Sequence, residues 1–251
     1  MKNKIIAFTT FDKTNERFWP MLKNSWDKFH KDIELRAYTE EEIKKYNDPF
    51  FFYRQKPLIA RELLKEYETV VGIDVDSIIT GDLSHTWEGE FNVGVVQNSN
   101  PLEAKKYPVG VWDIPPMAYV NCGYVVMKTP QFVEHWWALC NSYHFNNYQF
   151  KEQDLLNILV HYGGYAVNYL DSGDKWHGLA SKQYWQNIEL RDKKLILPKA
   201  DEWPQSGDKE IDIIHFSGGN DPGKGNYRTR FKEDVVKHLD WLTNEEVNTK
   251  S

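Results

Sequence analysis

The feature that most constrains this chain is a short apolar run that stops at two carboxylates. Thr69–Ile73 is uncharged and rich in β-branched residues, and it runs straight into Asp74-Val75-Asp76 before Ser77-Ile78-Ile79 resumes the pattern. Such a run reads as a buried strand. Upstream, Lys4–Thr10 reads as a first strand. Asn15–Phe29 then places Phe18, Trp19, Leu22, Trp26 and Phe29 at three- and four-residue steps, the spacing of an amphipathic helix. Ile33–Tyr38 reads as a second strand, and Thr39–Glu42 as a capped, acidic helix start. Lys56–Tyr67 is read as a helix with Leu58, Ile59, Leu63 and Leu64 on one stripe. Strands alternating with helices imply an α/β fold around a largely parallel sheet. Sheets of that kind bind ligands at the carboxyl ends of their strands, and the Asp pair stands at one.

Beyond the Asp pair, Phe91–Gln97 and Ala118–Lys128 read as strands and Pro130–Tyr143 and Gln153–Tyr162 as helices. Ala166–Tyr169 and Ile211–Phe216 follow as strands, with Lys232–Leu242 as a closing helix. Asp171–Gly207, rich in Trp, Gly, Lys and Asp, is read as a lobe of loops. No repeat or linker interrupts the chain, so 1–251 is expected to be one domain.

Several classes are disfavoured by composition. The net charge is −6 and no Lys/Arg cluster appears, so a duplex nucleic-acid partner is not expected. No apolar stretch is long enough to span a bilayer, and MKNKIIAFTT lacks the pattern of a signal peptide. Cys122 and Cys140 are the only cysteines, which fits a reducing, cytoplasmic setting. The aromatic load is heavy, with 10 Trp, 14 Tyr and 13 Phe. Most of it is assigned to core filling, although exposed aromatic faces also stack on sugars and bases.

Two carboxylates one residue apart, just past a buried strand, can both reach a hard divalent cation such as Mg²⁺ or Mn²⁺. Such an ion stabilises the charge that develops on a departing diphosphate. His215 ends the apolar run Ile211–Ile214 and precedes Phe216-Ser217-Gly218-Gly219. Its neutral imidazole could complete the metal shell, and the glycines would let backbone N–H groups approach phosphate. Lys224 follows in another Gly-containing loop and could neutralise a pyrophosphate. Asn121-Cys122-Gly123 is expected to close a strand and offer a side-chain amide to sugar hydroxyls, or else to be an ordinary turn or bulge. Glu152-Gln153-Asp154 opens a helix, where acidic residues are commonly caps. The functional alternative puts one of them near a reacting sugar. Lys56 is either a solvated charge or a donor contact.

In this order, the strand with DVD, then NCGYVVM, EQDLLN and HFSGG with a following Lys, resembles the GT-A glycosyltransferases. More narrowly, it is similar to family 8, the glycogenin and lipopolysaccharide galactosyltransferase group. That family shows D-x-D, N-x-G, D-Q-x-x-L-N and H-x-x-G-x-x-K-P-W in the same sequence. The resemblance spans Ile5 to Lys224. It implies a single GT-A domain, with a nucleotide-binding half at about 1–120 and an acceptor-binding half at about 121–245. It also implies a Mn²⁺ or Mg²⁺ ion on Asp74, Asp76 and His215, and a UDP-sugar donor. Thr9 and Thr10 would lie in the loop that meets the nucleotide, with Lys56, Val75, Asn121, Gly123, Gly218 and Lys224 completing the donor site. Glu152 and Gln153 would face the anomeric carbon with retention of configuration, whereas Asp154 could serve as base in an inverting enzyme. The acceptor would be a glycan, a lipid or a protein. Glu152 stands where the family has Asp, the spacing from His215 to Lys224 is longer than the family's, and no Pro-Trp follows. Two other readings remain open. One is a phosphatase or phosphotransferase of the haloacid dehalogenase type, with Asp74 as nucleophile. The other is a non-catalytic carbohydrate-binding protein.

Overall fold

The computed structural model describes residues 4–45, 54–97, 114, 118–142, 145–170, 175–176, 182–199, 207–216 and 227–244. The strands are β1 (Ile5–Phe11), β2 (Leu35–Thr39), β3 (Thr69–Ile73), β4 (Ser77–Ile79), β5 (Val93–Gln97) and β6 (Val120–Met127), then β7 (Val167–Tyr169), β8 (Lys175–Trp176), β9 (Glu189–Arg191), β10 (Lys194–Leu197), β11 (Lys209–Ile211) and β12 (Ile213–His215). The α-helices are α1 (Trp19–His30), α2 (Glu40–Lys44), α3 (Gln55–Leu63), α4 (Pro130–Cys140), α5 (Glu152–Tyr162) and α6 (Glu233–Thr243).

Six strands form the central sheet in the order β2-β1-β3-β6-β5-β7. β1 runs parallel to β2 and β3, β5 runs parallel to β7, and β6 is antiparallel to both of its neighbours. This is the mixed, mostly parallel sheet that the alternation of elements predicts. Side chains along β1 alternate between its two faces. Ile6 and Phe8 join Ile59, Leu63, Phe132, Trp136, Leu155 and Leu156 on the face covered by α3, α4 and α5. Ala7 joins Val71, Ile73, Leu22 and Trp26 under α1 on the other face. Burying each such large side chain contributes roughly 1.5–3 kcal/mol. Helix α2 starts where expected, with Thr39 and Glu42 forming a reciprocal capping box.

The structure corrects several expectations. Ile211–Phe216 is not one strand. β11 belongs to a four-stranded sheet, β8-β11-β10-β9, whereas β12 pairs with β4, and the buried Asp212 stands at the break. The described part of Asp171–Gly207 contains β8, β9 and β10, so it is not simply a lobe of loops. β10 and β11 pack Leu195, Leu197 and Ile211 against Trp185, Val235 and Leu239. The helix expected to reach Tyr67 ends at Leu63. Asn121-Cys122-Gly123 lies inside β6 instead of closing a strand.

Val95 pairs with Val125 but Val96 pairs with Asn121, so residues 122–124 of β6 have no counterpart on β5. Such a bulge turns the strand and re-aims its side chains. Cys122 therefore packs with α3, α4 and α5 while Tyr124, two residues on, packs on the opposite face.

Candidate metal centre

β3 ends at Ile73 because the next residues are charged, and the Asp74 N–H donates to the Gly123 carbonyl at 2.8 Å to close the sheet. Val75 turns into an apolar cluster with Phe11 and Phe18, which leaves the two Asp side chains on the other side of the turn. β4 then begins at Ser77 and pairs antiparallel with β12, so that Ser77 stands directly opposite His215. The Phe216 N–H donates to the Asp76 carbonyl at 2.9 Å and extends the pairing to the Asp pair itself. A residue near the end of the chain is thereby fixed beside a motif in its first third.

The imidazole Nε2 of His215 lies 3.2 Å from Asp74 Oδ2 and 3.3 Å from Asp76 Oδ1. One ligand atom from each of the three residues lies within 4.8 Å of the other two. Asp76 and His215 are buried, and Asp74 is half-buried. Gly123 is the residue that permits this. A Cβ there would sit 2.4 Å from Cε1 and 2.5 Å from Nδ1 of His215, and 2.7 Å from Oδ1 of Asn121. The donor set of two carboxylates and one imidazole suits a divalent cation at the hard-to-borderline boundary, as Mn²⁺ is. The residues present therefore fit the ion that the motif implies.

Lys56 lies within α3, and it is buried rather than solvated. Its Nζ donates to Asp74 Oδ1 and lies 3.8 Å from Cys122 Sγ. Burial works against charge on Lys56, but Asp74, Cys122 and Glu152 together outweigh it and the ammonium is held above its usual range. On Asp74, burial favours the neutral form, yet Lys56 and His215 overcome it and keep the carboxyl below the normal range. Burial likewise opposes charge on His215, and Asp76 and Asp74 raise it to about 9. The centre is a tightly balanced set of charges that partner one another.

The start of α5 closes the opposite wall. Gln153 Oε1 accepts the Cys122 N–H at 3.1 Å, and its Nε2 donates to Tyr119 Oη at 3.1 Å. Asp154 accepts from Tyr119 Oη at 2.7 Å and from the Phe150 N–H at 2.8 Å. Asn157 bonds both backbone groups of Val120, at 2.7 and 2.8 Å. Gln153 and Asp154 are thus engaged by the protein. Glu152 differs. Its Oε1 lies 4.0 Å from Cys122 Sγ, and its buried Oε2 has no hydrogen-bond partner among the described residues. Burial pushes its carboxyl up to about 8 although Lys56 opposes this. Lys151, just before it, has φ +50°, a left-handed conformation that costs a non-glycine residue energy.

Thr9 and Thr10 lie in β1 rather than in a loop. Thr9 is fully buried, and its Oγ1 has no hydrogen-bond partner among the described residues. Gly218 and Lys224 lie outside the described residues. Sequence reasoning missed Ser77, Tyr119 and Asn157 and the burial of Lys56. Ser77 directly follows the Asp pair, and that adjacency was the available signal.

No family model matches the sequence, and no curated protein matches it either. Solved structures do. The galactosyltransferase LgtC, determined with donor and acceptor sugar analogues, superimposes with a TM-score of 0.56 at 14% identity, covering 95% of this chain and 96% of that one. A glycosyltransferase involved in glycosylating the major capsid of PBCV-1 aligns with a TM-score of 0.53 at 13% identity, over 90% and 98% of the two chains. The bifunctional glycosyltransferase WbbM aligns with a TM-score of 0.53 at 14% identity over 92% of this chain, which spans only 52% of WbbM's length. The fold is the one these proteins share, the GT-A fold. Among the described residues, no helix is long and apolar enough to cross a membrane.

Proposed function

We propose that this chain is a glycosyltransferase that uses a divalent metal, Mn²⁺ ahead of Mg²⁺, to move a sugar from a nucleoside diphosphate donor of the UDP-sugar class to a glycan, lipid or protein acceptor. The observation that carries the reading is the meeting of Asp74, Asp76 and His215 at the carboxyl end of β3 in a fold shared with glycosyltransferases. The ion would supply Lewis-acid stabilisation to the departing diphosphate. Asp74, Asp76 and His215 hold it, and Lys56 keeps Asp74 ionised from behind. Gly218 and Lys224 are assigned to the diphosphate, Thr10 and Val75 to the nucleotide side, and Asn121 to the sugar hydroxyls.

Retention of anomeric configuration fits the wall made by α5. Gln153 and Asp154 are held by Cys122, Tyr119 and Phe150, so their part is to brace the bulge in β6. Glu152 keeps an oxygen without a protein partner among the described residues, which makes it the carboxyl group suited to the reacting face. The two buried free thiols, Cys122 and Cys140, suit a reducing compartment.

The test combines protein, Mn²⁺ or Mg²⁺ and a panel of nucleotide sugars, and measures released nucleoside diphosphate. Metal-dependent release from a UDP-sugar supports the reading. Phosphate release from a simple phosphate ester with no donor turnover would move the chain to the phosphatase class. Glycan binding without any turnover would leave a carbohydrate-binding protein.

A further inference from the structure

A metal-bound imidazole presents the lone pair of one nitrogen to the ion, so the other nitrogen must carry a proton. In metal sites that N–H almost always has an acceptor, and the acceptor fixes both tautomer and ring orientation. Here Nε2 faces Asp74 and Asp76, which leaves Nδ1 as the outer nitrogen. Nδ1 has no hydrogen-bond partner among the described residues. The ring edge that carries it faces Gly123.

Beside that edge lies a small cavity of about 10 Å³, lined by Ser77, Asn121, Gly123, Tyr124 and His215 with Val96 and Ile213. This is the room one water occupies. Ser77 is 1% exposed, and its Oγ is buried without a hydrogen-bond partner among the described residues. As His215's directly paired residue across β4 and β12, Ser77 has its side chain on the same face of the ladder. An unpaired buried hydroxyl is costly, and a ligating histidine without an outer partner is exceptional. One water answers both.

We propose that Ser77 is a positioning residue for the metal centre, acting through a single buried water that accepts from His215 Nδ1–H and bonds Ser77 Oγ and the Asn121 amide. The inference rests on the metal-centre reading and deepens it. Ser77 itself does not touch the ion. Its hydroxyl anchors the water, the water holds Nδ1–H, and Nε2 is left to face Asp74 and Asp76. The absence of a Cβ at Gly123 keeps the cavity open on the ring side.

The experiment pairs two measurements. Mn²⁺ affinity by calorimetry is compared in wild-type protein, Ser77→Ala and Asn92→Ala, the last a polar change away from the centre. The expected result is an affinity about 10–100-fold lower for Ser77→Ala, with Asn92→Ala equal to wild type. A hydroxyl that merely lacked a partner would be better removed, so wild-type affinity together with a raised Tm in Ser77→Ala would overturn the proposal. The second measurement is a high-resolution crystal structure of the wild-type protein without metal. It should show one water within hydrogen-bond distance of both Ser77 Oγ and His215 Nδ1, and a cavity free of density would overturn the proposal even if Ser77→Ala fails to fold. If wild-type protein binds no Mn²⁺ yet the water is present, the metal reading fails while the bridge stands.

Discussion

His30 and His215 are both nearly buried, at 4% and 7% exposure, yet their surroundings are built on opposite principles. His30 ends α1, with its ring packed on Trp26 and Trp87 at 4.7 and 5.2 Å, and its Nε2 accepts the Leu83 N–H at 3.1 Å. Its acidic neighbour, Asp82, is exposed and 3.9 Å away. Burial prevails there and lowers the ring to about 4. His215 points its Nε2 at two carboxylates instead, and their pull outweighs burial. The first ring is an apolar filler with one neutral acceptor. The second is one arm of the candidate cation site. What separates the two rings is thus whether carboxylates converge on one nitrogen, not how deeply the ring lies.

The most severe challenge to this contrast is Asp76→Asn. With the pairing of Nε2 broken on one side, donor turnover in the presence of Mn²⁺ should fall about 10³-fold, a loss of several kcal/mol of metal-derived stabilisation. Unchanged turnover would make His215 as structural as His30. Next comes His30→Ala, which removes two ring contacts and strands the Leu83 N–H. It should cost about 2–4 kcal/mol of stability in urea unfolding while Mn²⁺ affinity stays at the wild-type level. Gly123→Ala should do the reverse in kind. A methyl there meets the His215 ring, so about 1–3 kcal/mol of stability is lost to overpacking, and metal affinity falls with it. A variant that binds Mn²⁺ normally would show that the ring has room to move.

The smallest effect is in pH. The folded value for His30, about 4, lies below the unfolded value of about 6.5, so the folded state favours the neutral ring. The stability this gives is present above pH 6.5 and is lost as pH falls toward 4. A decline in stability across that window is expected in wild type, and His30→Gln should flatten it. A flat wild-type profile would remove the desolvation argument.

The same contrast governs what was legible in the sequence. β1, β3, β5 and β6 were readable because their residues are buried on both faces, which leaves apolar runs. β9 and β10 are only three and four residues long, too short to register as a period. The division at Asp212 was hidden because one carboxylate inside Ile211–Phe216 looks like ordinary strand alternation. Asp74, Asp76 and His215 could be singled out because each follows an apolar run. Lys56 could not be recognised as buried, since its helix is mixed in composition and its partner lies 18 residues on. Gln153 and Asp154 looked like caps or catalytic groups, and neither reading anticipated Tyr119, which has no sequence mark of its own.

The pairing of β4 with β12 has a consequence for when the protein becomes competent. The Asp pair can be in place as soon as the first three strands have associated, but the imidazole arrives only once a segment some 140 residues later zips onto β4. A chain still on the ribosome, with His215 not yet emerged, carries two facing carboxylates and no third arm. The three-armed site proposed for the cation is therefore complete only after the segment that carries β12 has been made and has paired with β4.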